Sequence, residues 1–261
     1  MPARPEVLIK PAETDAVVFD MDGVVTQTAS VHAAAWKALF DGYLKQRSER
    51  TGEPFRPFDV EDDYLPYVDG KPRYDGVRDF LGSRGIELPW GSPSDAPAAE
   101  TVCGLGNRKN DYFLAQVREH GVQAFPSTVA LIHGLKAAGI HTAIISASKN
   151  TTAILDAAGV RDLFEAQVDG TVADELGLPG KPDPAVFVEA ARRVGAAPAR
   201  SVVVEDAEAG VEAGRRGGFG LVIGVDRADH AAALRRHGAD VVVRDLDEVG
   251  VAARVDPQAA G

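Results

Sequence analysis

Short apolar runs recur along the chain. DAVVFD (15–20), HTAIIS (141–146), SVVVE (201–205), GLVIGV (220–225) and DVVV (240–243) are rich in Val, Ile and Ala and flanked by Gly, Asp or Ser. Runs of that length and composition are the mark of strands buried on both faces. Between and around the later runs, apolar positions recur every three to four residues and predict helices near 127–138, 149–158, 183–194, 207–216 and 228–237. Strands alternating with helices build a parallel sheet covered on both sides, so the expected fold is a doubly wound, Rossmann-like α/β domain.

The segment 30–124 breaks this rhythm. It holds most of the aromatic residues, opens with the helical stretch HAAAWKALFDGYLKQR, and has no valine-rich run. It predicts a mainly helical domain inserted between the first strand and the rest, leaving 1–29 and 125–261 as the core. TGEPFRPFD and PWGSPSDAPAA, dense in Pro, Gly and Ser, are expected loops within the insertion, and DPQAAG after Val255 an expected frayed tail.

Composition narrows the partners. A chain of 261 residues with 45% hydrophobic content has ample core for such an arrangement. Its net charge of −11 comes with no basic stripe, which argues against a nucleic-acid surface. No apolar stretch approaches the roughly 20 residues that span a bilayer. A single cysteine, Cys103, cannot form an internal disulfide, and MPARPEVLIK lacks a signal-peptide core, so a cytoplasmic setting is expected.

Chemistry gathers where strands end. Asp20 and Asp22 in FDMDGVV follow the first run, and in an extended chain residues i and i+2 point the same way, placing two like charges at one spot. A cation or a shared proton would relieve their repulsion. SASKN (146–150) follows the second run; its backbone N–H groups with Ser146, Ser148, Lys149 and Asn150 suit phosphate oxygens, or simply cap a helix. GKPDPAVF (180–187) fixes Lys181 before Pro182 and lets Asp183-Pro184 start a helix, yet alone it signals only a turn. VVVEDAEAG (202–210) ends a buried run in Glu205 and Asp206, which suits a metal or a helix N-terminus. Because ligands bind beyond the carboxyl ends of parallel strands, the four groups would meet at one sheet edge, where oxygen ligands could hold Mg²⁺.

With these motifs in this order, the chain resembles the haloacid dehalogenase superfamily of phosphotransferases. TASVHAAAWK (28–37), SASKN and RKND (108–111) are similar to loops of its β-phosphoglucomutase branch. The resemblance implies Asp20 as the nucleophile, Asp22 as the general acid/base, and Ser146 and Lys181 as charge-balancing groups on the moving phosphoryl. It implies Mg²⁺ held by Asp20, the Asp22 carbonyl, Glu205 and Asp206. It makes the insertion a cap: His32 positions Asp22 or the hinge, Trp36 and Lys109 line a sugar pocket, and Arg73 holds a second phosphate with Ser148, Lys149 and Asn150. In one departure, the family's cap loop has a lysine before the glycine matched by Gly70, whereas this chain has Asp69 there and Lys71 after it.

The implied reaction interconverts β-glucose 1-phosphate and glucose 6-phosphate through an aspartyl phosphate and a sugar 1,6-bisphosphate, in a monomeric, cytoplasmic enzyme that binds phosphorylated sugars and neither nucleic acid nor membrane. A Mg²⁺-dependent sugar-phosphate phosphatase would share every core residue. A non-catalytic phosphosugar-binding protein would be expected to have lost the nucleophile or the metal acids, and all are present.

Overall fold

The computed structural model of the protein describes residues 7–227 and 229–253, so the expected frayed tail lies outside the described residues. The chain divides into two compact units, Met1–Gln27 with Gln123–Gly261, and Thr28–Val122.

Among the described residues, the strands of the first unit are β1 (Val7–Ile9), β2 (Ala16–Asp20), β3 (His141–Ile145), β4 (Ala166–Val168), β5 (Ser201–Glu205), β6 (Leu221–Val225), β7 (Val241–Val243) and β8 (Val249–Val251). Six form one sheet in the order β4-β3-β2-β5-β6-β7, and each pairing is parallel. This is the doubly wound order in which the chain walks outward from a central strand, returns, and walks outward the other way. The central strand is β2, where all five residues are buried. The reversal falls between β2 and β5, and a crevice at such a switch point is where open α/β sheets bind ligands. The short β1–β8 pair is separate and was not foreseen.

Helices in the second unit are α1 (Ala29–Thr51), α2 (Tyr64–Tyr67), α3 (Arg73–Ser83) and α4 (Val102–His120). Back in the first unit follow α5 (Pro126–Ala137), α6 (Thr151–Ala157), α7 (Gly170–Leu176), α8 (Ala185–Arg193), α9 (Glu208–Arg216) and α10 (Ala231–His237). Val18, Ile145, Val203 and Val222 of the sheet pack against Phe187 of α8, Val211 of α9 and Leu234 of α10 in one buried cluster. Such burial, at about 25 cal/mol per Å² of apolar surface, dominates the stability of a domain like this. The helical unit has its own core, in which Trp36, Phe40, Phe58 and Phe80 stack and pack edge to face.

The loops expected at 51–59 and 89–99 are largely free of helix and strand. The helical unit begins at Thr28 and ends at Val122, against the expected 30 and 124. Among the described residues no helix is long and apolar enough to cross a membrane.

Candidate active site

The register of the sheet brings the acids together. Phe19 of β2 lies level with Ile144 of β3 and Val204 of β5, so the next residues, Asp20 and Glu205, emerge side by side at the carboxyl edge, with Ser146 one step past β3. Lys181 arrives from the loop before α8, where the Asp183 carboxylate accepts from the Ala185 N–H at 2.9 Å and fixes the helix start. The Lys181–Pro182 peptide is cis. The Lys181 ammonium donates to Asp20 Oδ1 at 2.5 Å and to Glu205 Oε1. All three side chains are almost fully buried.

Asp22 reaches the site by a different route from the one expected. β2 stops at Asp20, and the chain turns: Val25 and Thr26 N–H groups both donate to the Met21 carbonyl, and Gly23 has φ +80°. The extended geometry invoked for the pair therefore ends at Asp20; the turn, not a strand, presents Asp22. Its Oδ2 lies 3.4 Å from the Ser146 hydroxyl, which in turn accepts the Ser148 N–H at 3.1 Å.

Two glycines make room for the acids. A Cβ at Gly23 would fall 1.7 Å from Asp206 Oδ2, and one at Gly210 would fall 1.8 Å from Glu205 Oε1. Real Cβ atoms do not approach that closely, so the glycine after Asp22 and the glycine that ends EDAEAG are parts of the site. Neither glycine stands out in the sequence as a site residue; the fixed spacing of each from its acid is the signal that carries it.

Electrostatics follow from the crowding. Burial, and then the Glu205 and Asp22 carboxylates, push Asp20 well above the ordinary carboxylate range against the pull of Lys181. Burial opposes the charge on Lys181, but Asp20 and Glu205 outweigh it and hold the ammonium above its usual range. Both shifts have one origin, an excess of negative charge in a dehydrated spot.

That excess is the test of whether these residues suit a divalent cation. Hard carboxylate and carbonyl oxygens with surplus negative charge suit Mg²⁺, which keeps several waters and needs few protein ligands. The arrangement differs from the expected four-ligand set, however. Among the described residues no three His, Cys, Asp or Glu side chains form a ready-made cluster. Glu205 accepts from Lys181 through Oε1 and from the Ala207 N–H through Oε2 at 2.6 Å, so it stands behind the lysine. Asp206, set against Gly23, lies beside the turn that carries Asp22.

The residues expected at a second phosphate bond within their own surroundings. Ser148 organises its own loop, accepting the Asn150 N–H on Oγ at 3.1 Å and the Thr151 hydroxyl on its carbonyl at 2.8 Å. Lys149 pairs with Asp174 of α7. Gly170 lets α7 start against this loop, since a Cβ there would lie 2.6 Å from the Ala147 carbonyl.

Within the helical unit, His32, Trp36 and Lys109 come together. Lys109 Nζ lies 2.6 Å from His32 Nδ1 and above the rings of Trp36 and Phe113, at 4.9 and 5.1 Å from their centroids. Trp36, expected to line a sugar pocket, is a core residue stacked on Phe40 with its centroid 5.3 Å away. Arg73 opens α3 with its guanidinium over the Tyr74 ring. Lys71, one residue past the Gly70 turn, bonds Asp79 at 2.9 Å and the Pro66 carbonyl at 3.1 Å.

Comparison with known proteins sets this geometry in a family. Residues 14–218 match the model for haloacid dehalogenase-like hydrolases. The chain is 51% identical over 249 residues to a β-phosphoglucomutase of Mycobacterium bovis, covering 94% of this chain and 95% of that one. It is 42% identical over 127 residues to a trehalose-phosphate phosphatase of Mycobacterium leprae, covering 47% of this chain and 28% of that protein. Its fold superposes on the crystal structure of a β-phosphoglucomutase from Clostridium difficile with a TM-score of 0.69 at 24% identity, covering 90% of this chain and 92% of that one.

Proposed function

The chain belongs to the haloacid dehalogenase-like hydrolase family and to its β-phosphoglucomutase branch, and we propose that the cluster around Asp20 interconverts β-glucose 1-phosphate and glucose 6-phosphate. The observation that carries the site assignment is Asp20 itself, buried at the β2/β5 switch point, bonded to Lys181 and neighboured by Asp22.

The chemistry runs in two transfers. An Asp20 carboxylate oxygen forms a bond to phosphorus as the bond from phosphorus to the sugar oxygen breaks, and Asp22 gives that oxygen a proton. In reverse, Asp22 takes the proton from the attacking sugar hydroxyl while the Asp20–phosphorus bond breaks, and Asp20 is restored. Phosphate passed first to the 6-hydroxyl of β-glucose 1-phosphate makes the 1,6-bisphosphate; removal of the 1-phosphate then leaves glucose 6-phosphate and a recharged Asp20. Lys181 holds positive charge beside Asp20 throughout, and Ser146 offers a hydroxyl next to Asp22.

The residues proposed to hold Mg²⁺ are Asp20, the Asp22 carbonyl and Asp206, with Glu205 contributing charge and anchoring Lys181. When bound, the ion supplies electrostatic stabilisation of the transferring phosphoryl group. In the helical unit, proposed as the family's cap, Lys109 is the proposed sugar contact, supported by His32 and Trp36, and Arg73 is a proposed phosphate contact; in the first unit Ser148, Lys149 and Asn150 are proposed phosphate contacts. The proposal extends to a monomer in the cytoplasm that handles small phosphosugars, consistent with one buried cysteine and an acidic chain.

The test supplies β-glucose 1-phosphate, Mg²⁺ and a trace of the 1,6-bisphosphate and follows glucose 6-phosphate against free phosphate. Isomerisation with little phosphate release is expected; phosphate release without isomerisation would overturn the mutase and leave a phosphatase.

A further inference from the structure

We infer that the loop following β6 positions both acidic loops of the site, through Arg227 and His230. The inference rests on the reading that the Asp22–Gly23 turn and Asp206 hold the metal, and it concerns residues that touch neither substrate nor ion.

The geometry is specific. Arg227 Nε donates to the Gly23 carbonyl at 2.9 Å, and His230 Nε2 lies 3.0 Å from the Asp206 carbonyl. A carbonyl oxygen brings no proton, so the histidine nitrogen is the donor. One short loop thus grips the backbone of both segments, and those segments touch each other, since Gly23 has no room for a Cβ beside Asp206 Oδ2.

Both donors are themselves anchored. The Arg227 guanidinium also donates to Asp245 Oδ2 at 2.7 Å and stacks on Phe125, 3.6 Å from its centroid. Phe125 in turn donates its N–H to the Val25 carbonyl at 2.9 Å, so the arginine is tied to the Gly23 turn from two directions. The Asp226 carboxylate accepts the backbone N–H groups of His230 and Ala231 at 2.8 and 3.0 Å, and it lies 3.3 Å from His230 Nδ1. That places the imidazole so that its other nitrogen faces Asp206. Planar guanidinium and imidazole groups fixed on several sides hold an acceptor better than a freely rotating amine could. Partners bonded directly to metal ligands commonly contribute about 10–100-fold to metal affinity, and Arg227 and His230 hold the backbone that carries the proposed ligands.

The experiment titrates Mg²⁺ calorimetrically into the full chain stripped of metal, and records the melting temperature of the metal-free protein alongside. His230→Ala is expected to weaken Mg²⁺ binding about 10–100-fold, and His230→Gln, whose amide nitrogen can stand near the position of Nε2, to recover most of the loss. Arg227→Lys, with one ammonium for two acceptors, is expected to weaken binding about 10-fold while the protein still folds. Variants that melt earlier yet bind Mg²⁺ as tightly as the parent would overturn the inference alone, because that is what a purely structural role predicts. So would failure of His230→Gln to bind more tightly than His230→Ala; should His230→Ala not fold, Arg227→Lys with unchanged affinity overturns it equally. A parent chain that binds no Mg²⁺ would overturn the metal reading and this inference together.

Discussion

Replacing Lys181 by Met should reveal how the charges at the β2/β5 edge are balanced. The ammonium is 3% exposed and touches two carboxylates that are 8% and 0% exposed, so the substitution leaves Asp20 and Glu205 buried beside each other without their shared cation. Removing one partner of a buried ion pair costs about 3–5 kcal/mol. For a unit of this size each kcal/mol lowers the melting temperature by about 2–4 °C, giving an expected loss of about 6–20 °C at pH 8. The sign with pH is fixed by the carboxylates. Without Lys181, nothing opposes the burial and the neighbouring carboxylates that already hold Asp20 above its unfolded value of about 4. The penalty is therefore absent below about pH 4 and grows as pH rises through the folded values. Differential scanning calorimetry of parent and variant in EDTA at pH 5 and pH 8 measures it. A difference below about 2 °C at pH 8, or one of the same size at both pH values, would refute the ion-cluster account.

Other changes separate the roles around this cluster. Asp22→Asn should slow the proton-coupled transfer by about 10²–10⁴-fold in single-turnover kinetics while phosphosugar binding persists; an unchanged rate removes Asp22 as the acid/base. Gly23→Ala combines a left-handed backbone, costing about 1–2 kcal/mol, with a methyl in the space of Asp206, so both the melting temperature and Mg²⁺ affinity should fall, and an intact affinity would contradict the packing. Burial raises the Asp245 carboxyl, but bonds from Ser127 and Arg227 outweigh it and hold the group below the ordinary range. A depressed folded value contributes stability above the unfolded pKa of about 3.9 that is lost as pH falls through the folded one, so Asp245→Asn should lower the melting temperature at pH 6 and progressively less below pH 4. A difference that widens in acid would reverse that assignment.

What the sequence disclosed depended on how local each signal was. The runs at 15–20, 141–146, 201–205, 220–225 and 240–243 match β2, β3, β5, β6 and β7 closely, because buried parallel strands must be apolar on both faces. AQV at β4 is an edge strand with a polar residue at its centre, too short to register against its flanks. Helix α7 has one fully buried residue and so little periodic signal; it is set instead by the Asp169 side chain, which accepts the Thr171 and Val172 N–H groups. The β1–β8 pair joins segments some 240 residues apart, and nothing in either triplet names its partner.

The site was legible to a similar degree. Asp20, Asp22, Ser146, Glu205 and Asp206 drew attention because charged or polar residues that end apolar runs are conspicuous, Lys181 because Pro182 restricts the segment that carries it, and strand order then gathers the strand ends. Arg227 and His230 escaped notice because both bond backbone carbonyls, which every residue type possesses. Trp36 was expected in the pocket only through the resemblance, with a place in the helical core the equal alternative; its packing among Phe40, Val68 and Gly76 is set by helix contacts that the α1 sequence alone does not contain.

The most direct measurement is the site of phosphate on the enzyme. The chain is incubated with the sugar 1,6-bisphosphate, quenched in acid, digested and mapped by mass spectrometry. The account predicts one phosphate on the peptide bearing Asp20, absent from Asp20→Asn. A phosphate on any other residue, or an unchanged yield from Asp20→Asn, would contradict it.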